Sequence, residues 1–369
     1  MKKILLAGMC AVMAAVTLAS CSGGNKNDIW DWESEPKAEG RGVTLNVYNW
    51  GEYISDGSEG SLDVNAAFTH ITGIDVNYKM FDTNESMYAL ISAGAADYDV
   101  IIPSDYMIGK MANEGLLAEL NFDNIPNFKY IDPQFRNMSY DPENKYTVPY
   151  LWGTVCIFYN KTMVDEADLD QGWDLLWNEK YSGNILMFDN QRDAFAIALK
   201  KLGYSMNTTN KAELDEAAAE LKKQKPLLQG YVMDQIYDKM GNDEAALGPY
   251  YAGDASIMAT ENENIGFLIP EEGTNKFVDA MCIPKSSEHK AEAEEYINFM
   301  CRTEIALANA GFVCYATPHT EAKKLLNPEI SENPIYYPSN EVLDKAELFI
   351  AYPDEINKYM DSLWMDLKK

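Results

Sequence analysis

The stretch VTLNVYNWGEY, residues 43–53, decides the fold, because a strand pattern ends within it and aromatic and acidic side chains follow at once. Residues 43–47 alternate between apolar and polar side chains, which predicts a β-strand. Trp50, Glu52 and Tyr53 come just after the carboxyl end of that strand, where ligands bind in open α/β sheets. Rings beside a carboxylate suit an organic cation, since each ring attracts a cation by about 0.5–2 kcal/mol. The alternative is that Trp50 and Tyr53 fill a core while Glu52 faces water.

Strand patterns alternate with helix patterns along the rest of the chain. We expect strands at residues 43–48, 74–81, 98–103, 151–160, 184–189, 265–270 and 278–284. We expect helices at residues 60–72, 84–93, 107–114, 173–177, 191–202, 211–225, 288–301 and 303–310, and two more within residues 339–367. Residues 120–148 are typical of a loop, residues 245–259 of a loop with some regular structure, and residues 312–318 of a further crossing between domains. Short connections between alternating elements indicate a parallel or mixed sheet covered by helices.

The size and charge of the chain narrow its class. A length of 369 residues favours two domains, and 47% hydrophobic with 24% charged residues is ordinary for a globular protein. The formal net charge of −28 makes nucleic acid and anionic membrane surfaces poor partners. It suits a cationic ligand, although solubility alone explains an acidic exported protein.

The N-terminal sequence predicts an export signal. Lys2 and Lys3 precede an apolar stretch, residues 4–18, and the sequence LASC at residues 18–21 resembles the lipobox of bacterial lipoproteins. The resemblance implies a signal peptide over residues 1–20 and a lipid anchor on Cys21. The polar stretch that follows predicts a flexible tether over residues 21–42. The alternatives are an ordinary secretory signal cut elsewhere, or a membrane span, for which the apolar stretch is short.

Four cysteines remain beyond the N-terminal segment: Cys156, Cys282, Cys301 and Cys314. Their spacing matches no metal-ligand pattern, and one disulfide is compatible with an exported protein. The apolar neighbours of Cys156 and Cys282 favour buried free thiols in strands at these two positions.

The sequence lacks the common signatures of enzymes. It contains no nucleophile elbow, phosphate-binding loop, dinucleotide fingerprint or zinc-protease motif. His70, His289 and His319 lie far apart in helix or loop patterns, which favours structural or exposed histidines. We therefore expect no enzymatic activity and no cofactor.

Other strand ends carry residues that could join the first cluster. Ser104 and Tyr106 follow the strand expected at residues 98–103, where a hydroxyl could accept from an ammonium and a ring could stack; the alternative is that Ser104 or Asp105 caps the next helix. Asp193 lies in FDNQRD, residues 188–193, whose alternative role is helix capping by Asp189 or Asn190.

Aromatic residues and one more carboxylate lie further along the chain. Tyr250 and Tyr251 precede Gly253 and could either line a site or pack in a core. Asp279 interrupts an apolar strand pattern, so it needs a cation if it is buried. Trp152, at a proposed crossing between domains, is expected in the hinge core rather than against a ligand.

Five motifs occur in order along the chain: YNWGEY at residues 48–53, IPSDY at 102–106, VPYLWG at 148–153, ALKKLGYS at 198–205 and YATP at 315–318. Together they resemble the motifs of the periplasmic spermidine/putrescine-binding proteins of ABC-type polyamine importers. The resemblance covers nearly all of the chain from residue 43 onward. It implies an α/β chain with a type II periplasmic-binding-protein fold, in which two α/β lobes are joined by a multi-strand hinge. Lobe one would hold residues 43–154 and 279–322, and lobe two residues 155–278 and 323–369.

The resemblance also implies a function and a set of ligand-binding residues. The chain would capture a polyamine in the periplasm or cell envelope and deliver it to an ABC-type membrane permease, working as a monomer. The cleft would be lined by four rings, those of Trp50, Tyr53, Tyr106 and Tyr315. Three carboxylates, Glu52, Asp193 and Asp279, would bind the ammonium groups of the ligand, and Ser104 would contribute a hydroxyl. Tyr251 and Phe277 stand where the family typically has tryptophan, Asn190 where spermidine binders have aspartate, and Phe349 where the family offers a glutamine. These departures leave the length of the polyamine open.

Other functions on the same fold remain as alternatives. The chain could be an import receptor for a basic peptide or another organic cation, or a polyamine-sensing lipoprotein that signals without transport. A glycan-active enzyme with paired carboxylates is a further class, but 58 acidic residues make such pairs expected by chance.

Overall fold

The computed structural model describes residues 30–369, apart from residues 96, 256–257 and 260–261. It contains a three-stranded sheet and a six-stranded sheet. We call the part of the chain around the three-stranded sheet lobe one and the part around the six-stranded sheet lobe two. Lobe one begins with β1 (Thr44–Trp50), α1 (Val64–Thr72), β2 (Asp75–Phe81), α2 (Asn84–Ser92), β3 (Val100–Ile101) and α3 (Asp105–Asn113).

The sheet of lobe one is parallel, in the order β2-β1-β3. Helix boundaries follow local capping. The side chains of Asp63 and Thr83 accept hydrogen bonds from the first turns of α1 and α2, so α1 begins later than residue 60, where we expected it. Gly73, with φ of 72°, ends α1. Because β1 and β3 run in the same direction, the residues after Trp50 and after Ile101 lie at one edge of the sheet.

A long strand, β4 (Val148–Asn160), runs from lobe one into lobe two. It follows short 3-10 turns in the segment that we expected to be a loop, at Phe122–Asn124, Pro126–Tyr130 and Pro133–Phe135. Lobe two then holds β5 (Ile185–Phe188), α4 (Gln191–Lys201), α5 (Lys211–Gln224), β6 (Leu228–Val232), α6 (Gln235–Gly241), β7 (Leu247–Tyr251), β8 (Ile265–Leu268) and β9 (Lys276–Met281).

The six-stranded sheet has the order β6-β5-β7-β4-β8, with β9 paired to β4 as well. The first half of β4 pairs with β9, and its second half pairs with β7 and β8, all antiparallel. The helix expected at residues 173–177 is a 3-10 helix, Glu166–Trp177, interrupted at Gly172 with φ of 57°. The sequence analysis did not identify β6 or α6.

The chain returns to lobe one through β9, whose end bridges β3 between Ile101 and Cys282. It continues with α7 (Lys290–Met300), α8 (Thr303–Val313), α9 (Thr320–Leu325), α10 (Pro328–Ser331) and α11 (Asn340–Leu343). The last helix, α12 (Asp354–Lys368), packs against α5 of lobe two. The crossing expected at residues 312–318 begins later, because α8 runs to Val313 and ends at Cys314 in the left-handed conformation. Beyond Cys314, the Ala316 carbonyl oxygen accepts a hydrogen bond of 2.9 Å from the Trp152 backbone N–H, and the two residues form an isolated β-bridge.

The segment before β1 lies against lobe one. The guanidinium of Arg302 is 4.3 Å from the centre of the Trp30 ring, and the Trp32 ring meets His70 edge-on at 5.3 Å. Arg41 forms ion pairs with Glu292 and Glu295. The expectation of a flexible tether over residues 21–42 is therefore corrected for residues 30–42, whereas the predicted signal peptide, Cys21 and the start of the tether lie outside the described residues.

Cys156, Cys282, Cys301 and Cys314 are all buried, and no disulfide joins any two of them, which excludes the disulfide that the sequence allowed among these four residues. The expectation of buried thiols at Cys156 and Cys282 is confirmed, and Cys156 lies in β4. Among the described helices, none has the length and apolar character needed to cross a membrane.

Candidate ligand-binding cleft

Asp279 lies in β9, where the chain crosses between the lobes, and is 5% exposed. Its Oδ2 accepts a hydrogen bond of 2.8 Å from the Tyr53 hydroxyl, whereas its Oδ1 has no partner among the described residues. Tyr53 is held in turn by the Tyr150 hydroxyl, which donates to its carbonyl oxygen at 2.8 Å. Burial raises the pKa of Asp279 to about 6, and the hydroxyls of Ser104 and Tyr53 oppose the rise. Tyr53 and Asp279, both predicted site residues, are therefore brought together.

Asp193 is a second buried carboxylate, in the first turn of α4 and 5% exposed. Its Oδ2 accepts a hydrogen bond of 3.3 Å from the Tyr251 hydroxyl. Burial raises the pKa of Asp193 to about 7, against the lowering effects of Tyr251 and Arg192. Asn190 caps α4, because its side-chain oxygen accepts a hydrogen bond of 2.9 Å from the Arg192 backbone N–H. The capping alternative is therefore confirmed for Asn190, whereas Asp193 contacts Tyr251 of the predicted site.

Asp254 is a third carboxylate, and the sequence analysis missed it. It follows β7 in a 3-10 turn, is 9% exposed and accepts a hydrogen bond of 3.0 Å from the Tyr315 hydroxyl. Burial raises the pKa of Asp254 to about 6. The available signal was its position three residues after Tyr251, just past the end of a strand.

Four aromatic rings connect these carboxylates in a continuous row. The centre of the Tyr315 ring lies 5.4 Å from that of Tyr53 and 6.0 Å from that of Phe277, and Phe277 lies 5.5 Å from Tyr251. We call Tyr53, Tyr315, Phe277 and Tyr251 the ring row. Tyr250, in contrast, is buried and packs against Phe188, as the core-packing alternative predicts. Tyr251 is therefore the one of the two tyrosines that could line a site.

Gly253 lets the two lobes approach closely at the ring row. A Cβ atom at Gly253, in lobe two, would lie 2.2 Å from two ring atoms of Tyr315, which belongs to the segment returning from lobe one. Gly153 similarly makes room for Phe277, whose ring would lie 2.7 Å from an added Cβ. The lobes are therefore closed on each other at this point.

Trp50 and Glu52 lie at the rim of the cleft rather than within the row. Trp50 ends β1, is half-buried and packs against Phe81 with ring centres 4.5 Å apart, and its buried indole N–H has no partner among the described residues. Glu52 is exposed with φ of 52°, and its charge contributes to the raised pKa of Asp254. The alternative that these rings fill a core therefore fits Trp50, which packs on Phe81, better than it fits Tyr53, which contacts Asp279. Glu52 faces water close to Asp254.

Ser104 and Tyr106 open α3 on the lobe-one side. The Ser104 hydroxyl makes no capping hydrogen bond. The backbones of Ser104 and Asp279 form an isolated antiparallel β-bridge. Asp105, fully buried, accepts from the Val278 N–H at 3.2 Å and so ties α3 to β9. The Tyr106 hydroxyl donates to Glu85 at 2.9 Å and accepts from Asn84 at 3.1 Å, which fixes its ring.

One end of the cleft is closed by residues from both lobes. Phe349 meets Tyr106 with ring centres 6.5 Å apart, so the position where we expected a glutamine in related proteins carries a ring that packs across the cleft. The Arg192 guanidinium lies 4.5 Å from the centre of the Phe349 ring and 3.6 Å from that of Tyr352. We call Tyr106, Phe349 and Arg192 the end wall. Sequence analysis did not identify Arg192 as part of the site.

The electrostatics of the cleft are dominated by its three buried carboxylates, Asp193, Asp254 and Asp279. The ion pairs of the described chain involve carboxylates other than Asp193, Asp254 and Asp279. Each of the three instead accepts a tyrosine hydroxyl. Removing a carboxylate from water is unfavourable unless a positive charge compensates it, and this explains the raised pKa values. Among the described residues no group of histidine, cysteine and acidic side chains is arranged to hold a metal ion.

Comparisons with known proteins identify the family of the chain. Residues 64–338 match the model of the family described as bacterial extracellular solute-binding protein. The spermidine/putrescine-binding periplasmic protein of Escherichia coli is 35% identical over 307 residues, which cover 82% of this chain and 86% of that protein.

Two solved structures show the same architecture. The spermidine/putrescine ABC transporter substrate-binding protein of Streptococcus pneumoniae is 39% identical, with a TM-score of 0.79, and covers 88% of this chain and 98% of its own. A putative spermidine/putrescine ABC transporter protein of Listeria monocytogenes is 38% identical, with a TM-score of 0.81 and the same coverage. The predicted fold class, an α/β periplasmic-binding-protein fold with two lobes, is confirmed.

Proposed function

This chain belongs to the family of bacterial extracellular solute-binding proteins, and we propose that it captures a polyamine, putrescine or spermidine, between its lobes and delivers it to an ABC-type importer. The relatives that carry these ligands in their names cover most of the chain. Family membership also accounts for the lack of enzyme signatures in the sequence, since the relatives are binding proteins of transport systems.

The observation that carries the proposal is a set of three buried carboxylates along the ring row, each of which accepts a tyrosine hydroxyl and has no ion-pair partner in the described chain. A polyamine supplies the missing positive charges as ammonium groups spaced along an apolar chain. An ammonium bound to a buried carboxylate forms a charge-assisted hydrogen bond, which typically contributes about 1.5–3 kcal/mol. Asp193, Asp254 and Asp279 are therefore the proposed anchors for the nitrogen atoms.

The ring row supplies the other half of a polyamine site. Methylene groups gain by leaving water, about 0.8 kcal/mol for each one buried, and aromatic faces also attract the neighbouring ammonium groups. We assign Tyr53, Tyr251, Phe277 and Tyr315 to this covering role. Ser104, Tyr106 and Trp50 would form the walls of the cleft, and Glu52 would act at its exposed rim.

The location and partners follow from the family and from the N-terminal sequence. The family is extracellular or periplasmic, which agrees with an exported chain. We propose that lipid on Cys21 holds the chain at the membrane, that a permease receives the ligand, and that the chain acts as a monomer. The packing of residues 30–42 on lobe one would leave residues 22–29 as the span between the lipid and the folded body.

A thermal-shift screen of residues 22–369 tests the proposal. This range keeps Trp30 and Arg41, which contact lobe one. Putrescine, cadaverine, spermidine, spermine, arginine and a maltodextrin would be compared. A ligand present at about 100 times its dissociation constant should stabilise the fold by roughly 2.7 kcal/mol. A shift with at least one polyamine and none with the maltodextrin is the expected result. A shift with arginine alone would point to another organic cation, and no shift with any amine would refute polyamine capture.

A further inference from the structure

The three carboxylates are distributed unevenly along the ring row. Asp279 pairs with Tyr53 and Asp254 with Tyr315, and these two rings are neighbours at 5.4 Å. Asp193 pairs with Tyr251, which lies on the other side of Phe277. The row thus has a doubly acidic end, a ring without a polar group in the middle, and a single carboxylate at the far end. This arrangement provides for two ammonium groups separated by one apolar segment.

Beyond Asp193 the cleft presents the opposite charge. The Arg192 guanidinium is next to Asp193 in the chain and is held between Phe349 and Tyr352. Its Nη2 donates to Asn207 Oδ1 at 2.9 Å and to the Ile350 carbonyl oxygen at 3.3 Å. Arginine stays protonated in proteins, so this end carries a fixed positive charge.

The rings of the end wall also occupy space. Phe349 is buried against Ala196 and Met206 of lobe two, and Tyr106 of lobe one packs on the same small cluster. Hydrogen bonds to Glu85 and Asn84 hold the Tyr106 ring in place. A ligand that extends past Asp193 would have to displace an aromatic contact between the lobes and would then meet the guanidinium.

Resting on the proposed function, we propose that this cleft selects a diamine of the putrescine type over the longer triamine spermidine. The doubly acidic end and Asp193 take the two ammonium groups of the diamine, and Phe277 covers its methylenes. The end wall excludes the aminopropyl extension of the triamine, through the bulk of Phe349 and the charge of Arg192. Arg192 and Phe349 are thus the residues that set the ligand length.

Two exposed carboxylates do not reverse this preference. Glu52 faces water at the rim near Asp254, and Glu85 is exposed and already accepts the Tyr106 hydroxyl. An ammonium that reached either one would stay in water, where screening makes ion pairs weak. The discrimination therefore depends on the buried end of the cleft.

The test is isothermal titration calorimetry of residues 22–369 with putrescine and with spermidine, which is putrescine extended by one aminopropyl group. We expect putrescine to bind at least about tenfold more tightly, equivalent to about 1.4 kcal/mol. The variants Arg192→Gln and Phe349→Ala should each move the ratio of the two affinities toward spermidine, by roughly fivefold or more. Arg136→Gln is the matched control, because Arg136 also lies over a phenylalanine, with 5.0 Å to the Phe128 ring centre, but contacts the loop of lobe one.

The outcomes separate this inference from the proposed function. If both amines bind the unaltered chain with equal affinity, or spermidine binds more tightly, the length selection is wrong and polyamine capture stands. If neither amine binds, both proposals are wrong. A ratio that changes in Arg136→Gln as much as in Arg192→Gln would also overturn the role of the end wall. A preference for putrescine that weakens only in the end-wall variants would support it.

Discussion

The Tyr53 hydroxyl donates a 2.8 Å hydrogen bond to Oδ2 of Asp279, so a residue placed by the first strand of lobe one orients a carboxylate on the strand that crosses back between the lobes. The other oxygen of that carboxylate is unpartnered among the described residues and remains free to accept from a ligand. A buried aspartate that accepts a hydrogen bond from a tyrosine hydroxyl recurs at Asp193 and Asp254. We interpret the tyrosines as the groups that keep each carboxylate pointed into the cleft.

The variant Tyr53→Phe tests this role. Losing the hydroxyl removes a hydrogen bond to a charged group, so we expect putrescine affinity to fall by about 1.5–3 kcal/mol with little change in the fold. Calorimetric titration measures the loss. The matched control is Tyr296→Phe, which removes a buried hydroxyl that donates to Asn65 at 2.9 Å on lobe one. Equal affinities in the two variants would show that Tyr53 does not orient a ligand group.

Closure of the lobes should depend on Gly253. A Cβ atom there would overlap the Tyr315 ring from the other lobe, and overpacking of this kind costs about 1–3 kcal/mol. Because only the closed form brings the two groups together, Gly253→Ala should weaken putrescine binding roughly tenfold or more. Gly230→Ala is the control, since an added Cβ there meets no atom within 4 Å. We would measure binding by calorimetry and compactness by small-angle scattering. Unchanged affinity in Gly253→Ala would contradict closure around the ligand.

Polyamine binding should release protons at mildly acidic pH. Burial raises the pKa of Asp193 to about 7 and those of Asp254 and Asp279 to about 6, above the usual value near 3.9, so protonated forms persist in the free protein at mildly acidic pH. The contribution of these groups to folding is full below about pH 3.9 and is lost as the pH rises through about 6–7. Bound ammonium groups favour the ionised forms instead.

We therefore expect release of about two protons per ligand at pH 6 and almost none at pH 8.5, with affinity decreasing as the pH falls. Titrations in buffers of different ionisation enthalpy measure the proton count. Identical heats across buffers at pH 6 would argue against ionisation of these carboxylates on binding.

His319 predicts a pH effect of the opposite sign on the fold itself. Its Nδ1 accepts from the Ala322 N–H at 3.1 Å and its Nε2 donates to the Cys301 carbonyl oxygen at 3.0 Å, so the neutral ring caps α9. Burial lowers the pKa of His319. Its contribution to stability is therefore present above the unfolded value of about 6.5 and is lost as the pH falls below it.

The variant His319→Asn keeps a capping side chain but cannot titrate. Urea unfolding at pH 8 and pH 5 should show that the unaltered chain loses more stability than this variant over that interval. Equal losses in the two proteins would exclude His319 as a source of the pH dependence.

Much of the fold could be predicted because hydrophobic periodicity is a local property. The alternation around β1 and β2, the short apolar run of β5 and the amphipathic pattern of α4 located these elements to within a few residues. β6 and α6 were missed because they are only 5 and 7 residues long, so neither the strand period nor the helix period is sustained. The packing of Trp30 and Arg41 on lobe one was missed because the polar composition around them favours a tether, while their partners lie more than 250 residues away.

The site was only partly predictable, because its geometry depends on contacts between the lobes. Tyr53, Asp193 and Asp279 were found as polar or aromatic residues at strand ends. Asp254 was missed because it lies in an alanine- and glycine-containing segment, where its position just past a strand end is a weak signal of a buried carboxylate. The sequence predicts Arg192 as a helix-surface residue. Only the structure shows that Phe349 and Tyr352, which are distant in sequence, cover its guanidinium.

The central claim, that buried carboxylates of this cleft bind the ammonium groups of a polyamine, is tested most directly by titrating putrescine into residues 22–369 and their Asp279→Asn variant. The substitution keeps the shape and an acceptor for Tyr53 but leaves a buried ammonium without its charge partner, so affinity should fall by about 3–5 kcal/mol. Asp189→Asn, which removes a half-exposed carboxylate paired with Lys368, should bind like the unaltered chain. Agreement between Asp279→Asn and the unaltered chain to within about threefold would contradict the claim.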